Sequence, residues 1–218
     1  MERKINLTVE LLFFNCLDNL KRSLPTYIDH VKEVIAVDGK HKMGEKGFDL
    51  LSTDGSREYL KSFNNVKLID KPNDFEVEKR KLVKNLCTTT DLIIIDSDEY
   101  IEGDWEKFFT SYEKVKSLDI HHKNLYKLKL QRNDSPDAYV NFPFVYHNPQ
   151  EFTYYKNKHA IPIKKTKADE IGIYAPDSFH IPISGIKIMH DHKLSTPDNW
   201  IIRNAHNNFL LRFENTSY

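Results

Sequence analysis

A chain of 218 residues with 32 basic and 32 acidic side chains has no formal net charge, so no global field directs it to nucleic acid or to an anionic membrane. At this length a folded chain buries roughly 70% of the surface its unfolded form exposes, enough for a substantial core. Two widely spaced cysteines, Cys16 and Cys87, form no CxxC pair, and the expectation is a reduced, cytoplasmic protein.

Met1-Glu2-Arg3-Lys4 leads into a stretch broken by Asn6, Thr8 and Glu10, too polar for a signal peptide. No run of 18 apolar residues occurs anywhere, so a soluble chain without a transmembrane segment is expected. Leu7 to Phe14 reads as an opening strand, and Cys16 to His30 as a helix with Leu17, Leu20, Leu24 and Ile28 at helical spacing, perturbed by Pro25. Glu33 to Val37 is a second buried strand that delivers Asp38 and Gly39. A polar loop, Lys40 to Lys46, follows; Asp54-Gly55-Ser56 then precedes a short helical segment through Tyr59, Leu60 and Phe63. Val66 to Ile69 makes a third strand. Asn73 and Glu76 have the spacing of a capping box for a helix with Phe75, Leu82, Val83 and Leu86 on one face.

Asp91 opens the next strand, where Leu92-Ile93-Ile94-Ile95 runs into Asp96-Ser97-Asp98-Glu99. Four consecutive aliphatics read as a strand buried on both faces, as in parallel sheets, and ligands collect at the carboxyl ends of such strands. Two carboxylates there repel each other unless a cation neutralises them, and hard oxygen ligands suit Mg²⁺ or Mn²⁺. The plainer alternative is that both acids start a turn and cap the next helix. The β-α-β-α-β-α-β order predicts a mainly parallel sheet with right-handed crossovers.

Beyond Tyr100 the pattern changes. Asp104 caps a predicted helix through Trp105, Phe108, Phe109 and Val115, and Tyr126 to Leu130 alternates with period two. Tyr139 to Tyr146, Ile161 to Lys165 and Gly185 to Met189 are further strand candidates, and six prolines between 136 and 182 confine much of this region to edges and loops. Pro197 to Phe213 reads as a closing helix. With no repeat, low-complexity tract or linker, residues 1–218 read as one domain, a front half (1–103) and a more irregular back half (104–218).

Four elements in order carry a resemblance: the strand ending in Asp38-Gly39, the later Asp54-Gly55-Ser56, Arg80, and Ile93-Ile94-Ile95-Asp96-Ser97-Asp98-Glu99. Together they resemble the family 2-type, GT-A-fold glycosyltransferases. That family has a strand ending near "VDGGSTDGS", an "ARN"-like helix, and "LDADE" sixteen residues after the arginine, the interval from Arg80 to Asp96. The resemblance covers about residues 5–105 and implies a Rossmann-like α/β fold with a nucleotide-sugar-binding front half and an acceptor-binding back half. It implies that Asp98 coordinates the metal, that Asp96 faces ribose or metal, and that Ser97 lies against the same cofactor. Asp38 would contact the nucleobase, Phe13, Phe14 and Asn15 would line its pocket, and Arg80 would meet base or phosphate. The other readings are that Phe13 and Phe14 are core and Arg80 a solvated helix residue. Lys40 to Thr53 separates the two halves of the first signature, and His41, Lys42 and Lys46 in that insertion could touch phosphate or acceptor.

Ile186, Ile188, His190 and His192 share one face of an extended strand. The family often places a late histidine on the metal; His190 fits best and His192 is the alternative, against the reading of a satisfied core histidine. For a catalytic base that deprotonates the acceptor hydroxyl, Asp191 and Glu170 are the candidates, with Asp169 nearby. A related family segment carries His-Glu where this chain has His159-Ala160. Tyr126, Phe142, Phe144, Tyr146, Tyr154 and Tyr155 could offer flat faces to sugar rings.

The resulting expectation is a metal-dependent transferase that moves a sugar from a nucleotide-diphosphate donor, UDP-sugar first and GDP-sugar next, to a hydroxyl of a glycan, lipid or protein-linked acceptor. The chain would act alone or as one domain of a longer enzyme. Nucleic acid is not an expected partner; peripheral membrane contact through Trp200, Phe209 and Phe213 is compatible with the last helix. The alternatives are a nucleotidyltransferase, which lacks here its glycine-rich loop after the first strand, a phosphohydrolase with Asp96 as nucleophile, whose motif belongs on a first strand, and a non-catalytic sugar- or partner-binding module.

Overall fold

The computed structural model describes residues 4–40, 50–117, 127–132, 144–156, 159–162 and 180–190. In the front half β1 (Ile5–Phe13), α1 (Leu17–Ser23), β2 (Val31–Asp38), α2 (Ser56–Lys61), β3 (Val66–Asp70), α3 (Glu76–Leu86) and β4 (Asp91–Ile94) follow in the predicted order. Next come β5 (Glu99–Gly103), α4 (Trp105–Ser117), β6 (Lys127–Arg132), β7 (Phe144–His147), β8 (Phe152–Lys156), β9 (His159–Pro162) and β10 (His180–His190). Eight strands form one sheet in the order β3-β2-β1-β4-β7-β6-β10-β5, and β8 pairs with β9 apart from it. Four of the seven pairings are parallel: β1 with β2, β1 with β4, β2 with β3, and β6 with β10. β7 lies antiparallel to β4 and β6, and β5 antiparallel to β10. The chain is thus α/β, with a mainly parallel sheet flanked by helices.

Strand composition accounts for strand position. β1, β2 and β4 are buried along almost their whole length, since helices or chain cover both faces; apolar residues dominate them, and β1 also buries the polar Thr8 and Glu10. β3, at the sheet edge, is only half-buried. In α4, Asp104 Oδ1 accepts the Lys107 N–H at 3.0 Å and Phe108, Phe109, Tyr112 and Val115 face the core, as the sequence predicts.

Three expectations are corrected. The predicted first helix stops at Ser23, because Pro25 lacks an N–H and the chain tightens into a 3-10 turn at Leu24–Thr26. Asn73 caps nothing: it adopts φ +57° two residues upstream of the α3 N-cap, Phe75. The Glu76 carboxylate turns to Arg80, at 2.6 Å, instead of reaching back, and Phe75 is 47% exposed. β8 carries no signal the sequence reading used. The predicted closing helix, 197–213, lies outside the described residues.

Two buried charge clusters tie the layers together. On α3, Arg80 pairs with Glu10 of β1, with Glu76 at 2.6 Å and with Asp96 beyond β4 at 3.4 Å. At the opposite end of β4, fully buried Asp91 accepts hydrogen bonds from Tyr112 at 2.5 Å, Thr90 at 2.6 Å and Lys116 at 3.2 Å, and lies 2.9 Å from His147 Nδ1. Burial raises the Asp91 pKa, but these partners outweigh it and hold the carboxyl below its ordinary 3.8. Its stabilisation is therefore complete above that value and lost as pH falls through the lower folded one. Removing one partner of a buried pair strands the rest, so Asp91→Ala should cost about 3 kcal/mol at pH 7, read from its denaturant midpoint. Glu10 has the opposite sign. Burial pushes its carboxyl up to about 7 from 4.5 although Arg80 pulls it down, so the folded state holds the proton more tightly and stability from this group declines as pH rises from 4.5 to 7. The denaturant midpoint of Glu10→Gln should accordingly gain on wild type between pH 5 and pH 7.5; a constant difference would refute the shift.

Candidate functional site

The order β2-β1-β4 sets the site. The chain leaves β1 on one side for β2 and, through α3, reaches β4 on the other, and ligand crevices of α/β sheets belong at the carboxyl ends where connections diverge in this way. Asp38 stands in register with Phe13, and the Ile95 N–H donates to Glu10 O at 3.0 Å. The three predicted groups, Phe14–Asn15, Asp38 and Asp96–Asp98, thus end neighbouring strands at one rim.

The acidic segment is a tight turn between β4 and β5. The Asp96 N–H donates to Glu99 Oε2 at 2.8 Å and the Glu99 N–H returns to Asp96 O at 2.9 Å. Glu99 is paired across the ladder with His190 of β10, which brings His190 Nε2 to 3.2 Å from Asp98 Oδ2. The predicted carboxylate–imidazole pair therefore forms, with side chains 10% and 5% exposed. Asp96, 23% exposed, opens further toward the rim and is approached from behind by Arg80. Around that single guanidinium stand Glu10, Glu76 and Asp96, so negative charge predominates at this corner. Carboxylate oxygens with an imidazole nitrogen suit Mn²⁺ or Mg²⁺ chemically. Among the described residues no group of three or more His, Cys, Asp or Glu side chains forms a closed metal cage, so ligands from elsewhere would have to complete the shell.

Asp38 is fully buried and engaged. Its oxygens accept the Ser52 N–H at 3.0 and 3.2 Å and the Ser52 hydroxyl at 2.6 Å, and pair with Arg57 at 2.6 Å. Arg57 in turn reaches Asp70 at 2.8 Å. Asp38 therefore pins the far end of the inserted segment to the sheet. Asn15, at φ +43°, completes the pin: its N–H donates to Ser52 Oγ and its side chain accepts the Thr53 N–H, both at 2.9 Å. Phe13 belongs to the core, and Phe14 is half-buried at the rim. Burial pushes the Cys16 thiol up to about 12, and a hydrogen bond with Ser97 offsets part of that rise.

One contributor, Lys79, escaped the sequence reading, and Asp54 entered it only as part of the Asp54-Gly55-Ser56 motif. Asp54 accepts the Leu17 N–H at 2.9 Å and the Ser56 N–H at 3.1 Å, and so serves the starts of α1 and α2 at once. Lys79, fully buried, donates to Gly39 O at 2.6 Å, and burial lowers its pKa to about 8. Gly39 itself, at φ +130°, admits no side chain, because a Cβ would come within 2.6 Å of Pro72 Cα.

Glu170, Asp169, Asp191 and His192 lie outside the described residues, as do His41, Lys42, Lys46, Tyr126, Phe142, Trp200, Phe209 and Phe213. Phe144 lies on β7 and Tyr154 and Tyr155 on β8, with side chains outside the description, and Tyr146 is buried.

No protein-family model matches the chain, and no curated protein matches it. Among solved structures it is similar to S. aureus TarS, with 17% identity over 62% of this chain and 23% of that one and a TM-score of 0.44. It is also similar to S. aureus TarS 1-349 in complex with UDP-GlcNAc, with 18% identity over 62% of this chain and 37% of that one and a TM-score of 0.44. A third is the mannosyltransferase PcManGT from Pyrobaculum calidifontis in complex with GDP-Man and Mn²⁺, with 13% identity over 60% of this chain and 36% of that one and a TM-score of 0.44. The matched part thus spans between 23% and 37% of the length of these structures.

Proposed function

We propose that the chain is a metal-dependent GT-A-type glycosyltransferase that moves a sugar from a nucleotide-diphosphate donor to an acceptor hydroxyl. The observation that carries this reading is the Asp98–His190 contact at 3.2 Å beside half-open Asp96, at the crevice where β1 and β4 end. Asp98, His190 and Asp96 would hold Mn²⁺ or Mg²⁺ together with the donor diphosphate, with His192 as a further ligand. A bound divalent cation supplies Lewis-acid stabilisation of the departing diphosphate.

The remaining assignments concern this chain's own groups. Arg80 orients Asp96 and offsets part of the negative charge behind it. Asp38 acts through Ser52 and Asn15 to shape the nucleoside end of the crevice, where Phe14 lies, and Ser97 sits between the two acids. UDP-sugar is the first choice of donor and GDP-sugar the second. Asp191, directly after His190, or Glu170 would take the proton of the acceptor hydroxyl as that oxygen attacks the anomeric carbon. Residues 1–103 form the donor half, and residues 104–218 would receive a glycan, lipid-linked or protein-linked acceptor, alone or within a longer enzyme. No helix of the described residues is long and apolar enough to cross a membrane, and any membrane contact in this reading is peripheral.

The test is a thermal-shift panel of UDP-, GDP-, CMP- and dTDP-sugars with Mn²⁺, Mg²⁺ or EDTA. A ligand at a hundred times its Kd adds about 2.7 kcal/mol, a readily measured rise in Tm. One nucleotide class should raise Tm, and EDTA or Asp98→Ala should abolish the rise. A folded protein indifferent to every donor would overturn the proposal. His190→Ala should retain nucleotide binding while weakening Mn²⁺ by about tenfold or more, as measured by titration calorimetry.

A further inference from the structure

Glu99 lies one residue past the acidic pair, is 1% exposed, and connects everything the candidate metal site contains. Its Oε2 accepts the Asp96 N–H at 2.8 Å, and its own N–H donates to Asp96 O at 2.9 Å. These two reciprocal bonds close the turn that carries Asp96 and Asp98. Its carbonyl accepts the Ser23 hydroxyl at 2.5 Å, which anchors the turn to the end of α1. Its backbone pairs with His190, which sets the height at which the imidazole meets Asp98. A buried carboxylate is retained at a cost unless it is matched by donors, and here a main-chain N–H of the site supplies one.

We propose that Glu99 is the positioning residue of the metal site: it touches neither donor nor cation, and through the Asp96 N–H it fixes the turn from which Asp96 and Asp98 project. The proposal rests on the donor-site reading above. What the role requires is an acceptor of the right reach, not a charge. Glu99→Gln keeps both reach and acceptor and loses the charge. Glu99→Asp keeps the charge but is shorter by one methylene, about 1.5 Å, and cannot span the turn.

Mn²⁺ affinity in the presence of UDP, read from the loss of the free-ion EPR signal, separates the two requirements without any measurement of turnover. Glu99→Gln should bind within about threefold of wild type. Glu99→Asp should bind about ten- to a hundredfold more weakly, the usual cost of losing a residue that orients a metal ligand. Ser23→Ala removes the outer anchor and should weaken binding about threefold, which gives an independent reading should Glu99→Asp not fold. Equal binding by wild type, Glu99→Asp and Ser23→Ala would overturn the proposal. So would a Glu99→Gln variant that folds and yet binds as weakly as Glu99→Asp, since Glu99 would then act through its charge. Failure of the wild-type chain to bind Mn²⁺ with any nucleotide would instead refute the donor-site reading.

Discussion

Burial of Arg80 between β1, α3 and the end of β4 is the constraint on which the architecture turns. A guanidinium removed from water must be matched by carboxylates in good geometry, or its desolvation alone would offset much of the core's stability. Glu10 supplies one from the middle of a central strand, a position that an apolar residue would otherwise fill. Helix, strand and acidic turn are thereby fixed to a common point, and the corner of the crevice carries more negative charge than its single cation offsets. In the proposed reading, the same arrangement that costs stability would make the corner receptive to a divalent ion.

Lys79, next to Arg80 on α3, extends the arrangement. Two consecutive buried cations reach two different strand ends: Lys79 the carbonyl that follows β2, and Arg80 the carboxylate that follows β4. Because β1 lies between those strands, adjacent residues of one helix tie together the two strand ends that flank it. Strand spacing of about 4.8 Å puts them roughly 10 Å apart, the width across which the proposed donor would lie. The helix is thus a ruler for the site as well as a cover for the sheet.

Much of this was legible in the residues. The run Leu92 to Ile95 is apolar because both faces of β4 are covered, and that same burial places Asp96 and Asp98 at a strand end. The face shared by Ile186, Ile188 and His190 is real: all three are buried, with Lys187 and Met189 less so. What escaped were the partners of particular buried charges, although His190 and Asp98, 92 positions apart, were both among the candidates. Asp38 read as a free ligand-binding acid, and nothing in the spacing of Ser52 or Arg57 marked them as its partners. Lys79 drew no reading at all, because a buried lysine looks like any other until its acceptor is known. The Asn73–Glu76 pair matched a capping pattern, but a stronger attraction, the Arg80 guanidinium, drew Glu76 away. The capping rule failed because a buried guanidinium one helical turn along made the better offer.

The contact between His190 and Asp98 bridges 92 positions of the chain. Closing so long a loop carries an entropic penalty that must be met before the contact returns any energy, which places it late in folding. In the front half β1 meets β2 over 25 positions, from Thr8 to Glu33, but meets β4 over 84, from Leu7 to Asp91, and all of these strands can pair while the back half is still being synthesised. A nascent chain would therefore assemble the strand ends that carry Asp38 and the acidic turn before it owned a histidine to set against the acids. An ion held between the two would act as a clasp across the molecule, making the last event of folding and the readiness of the site one and the same step.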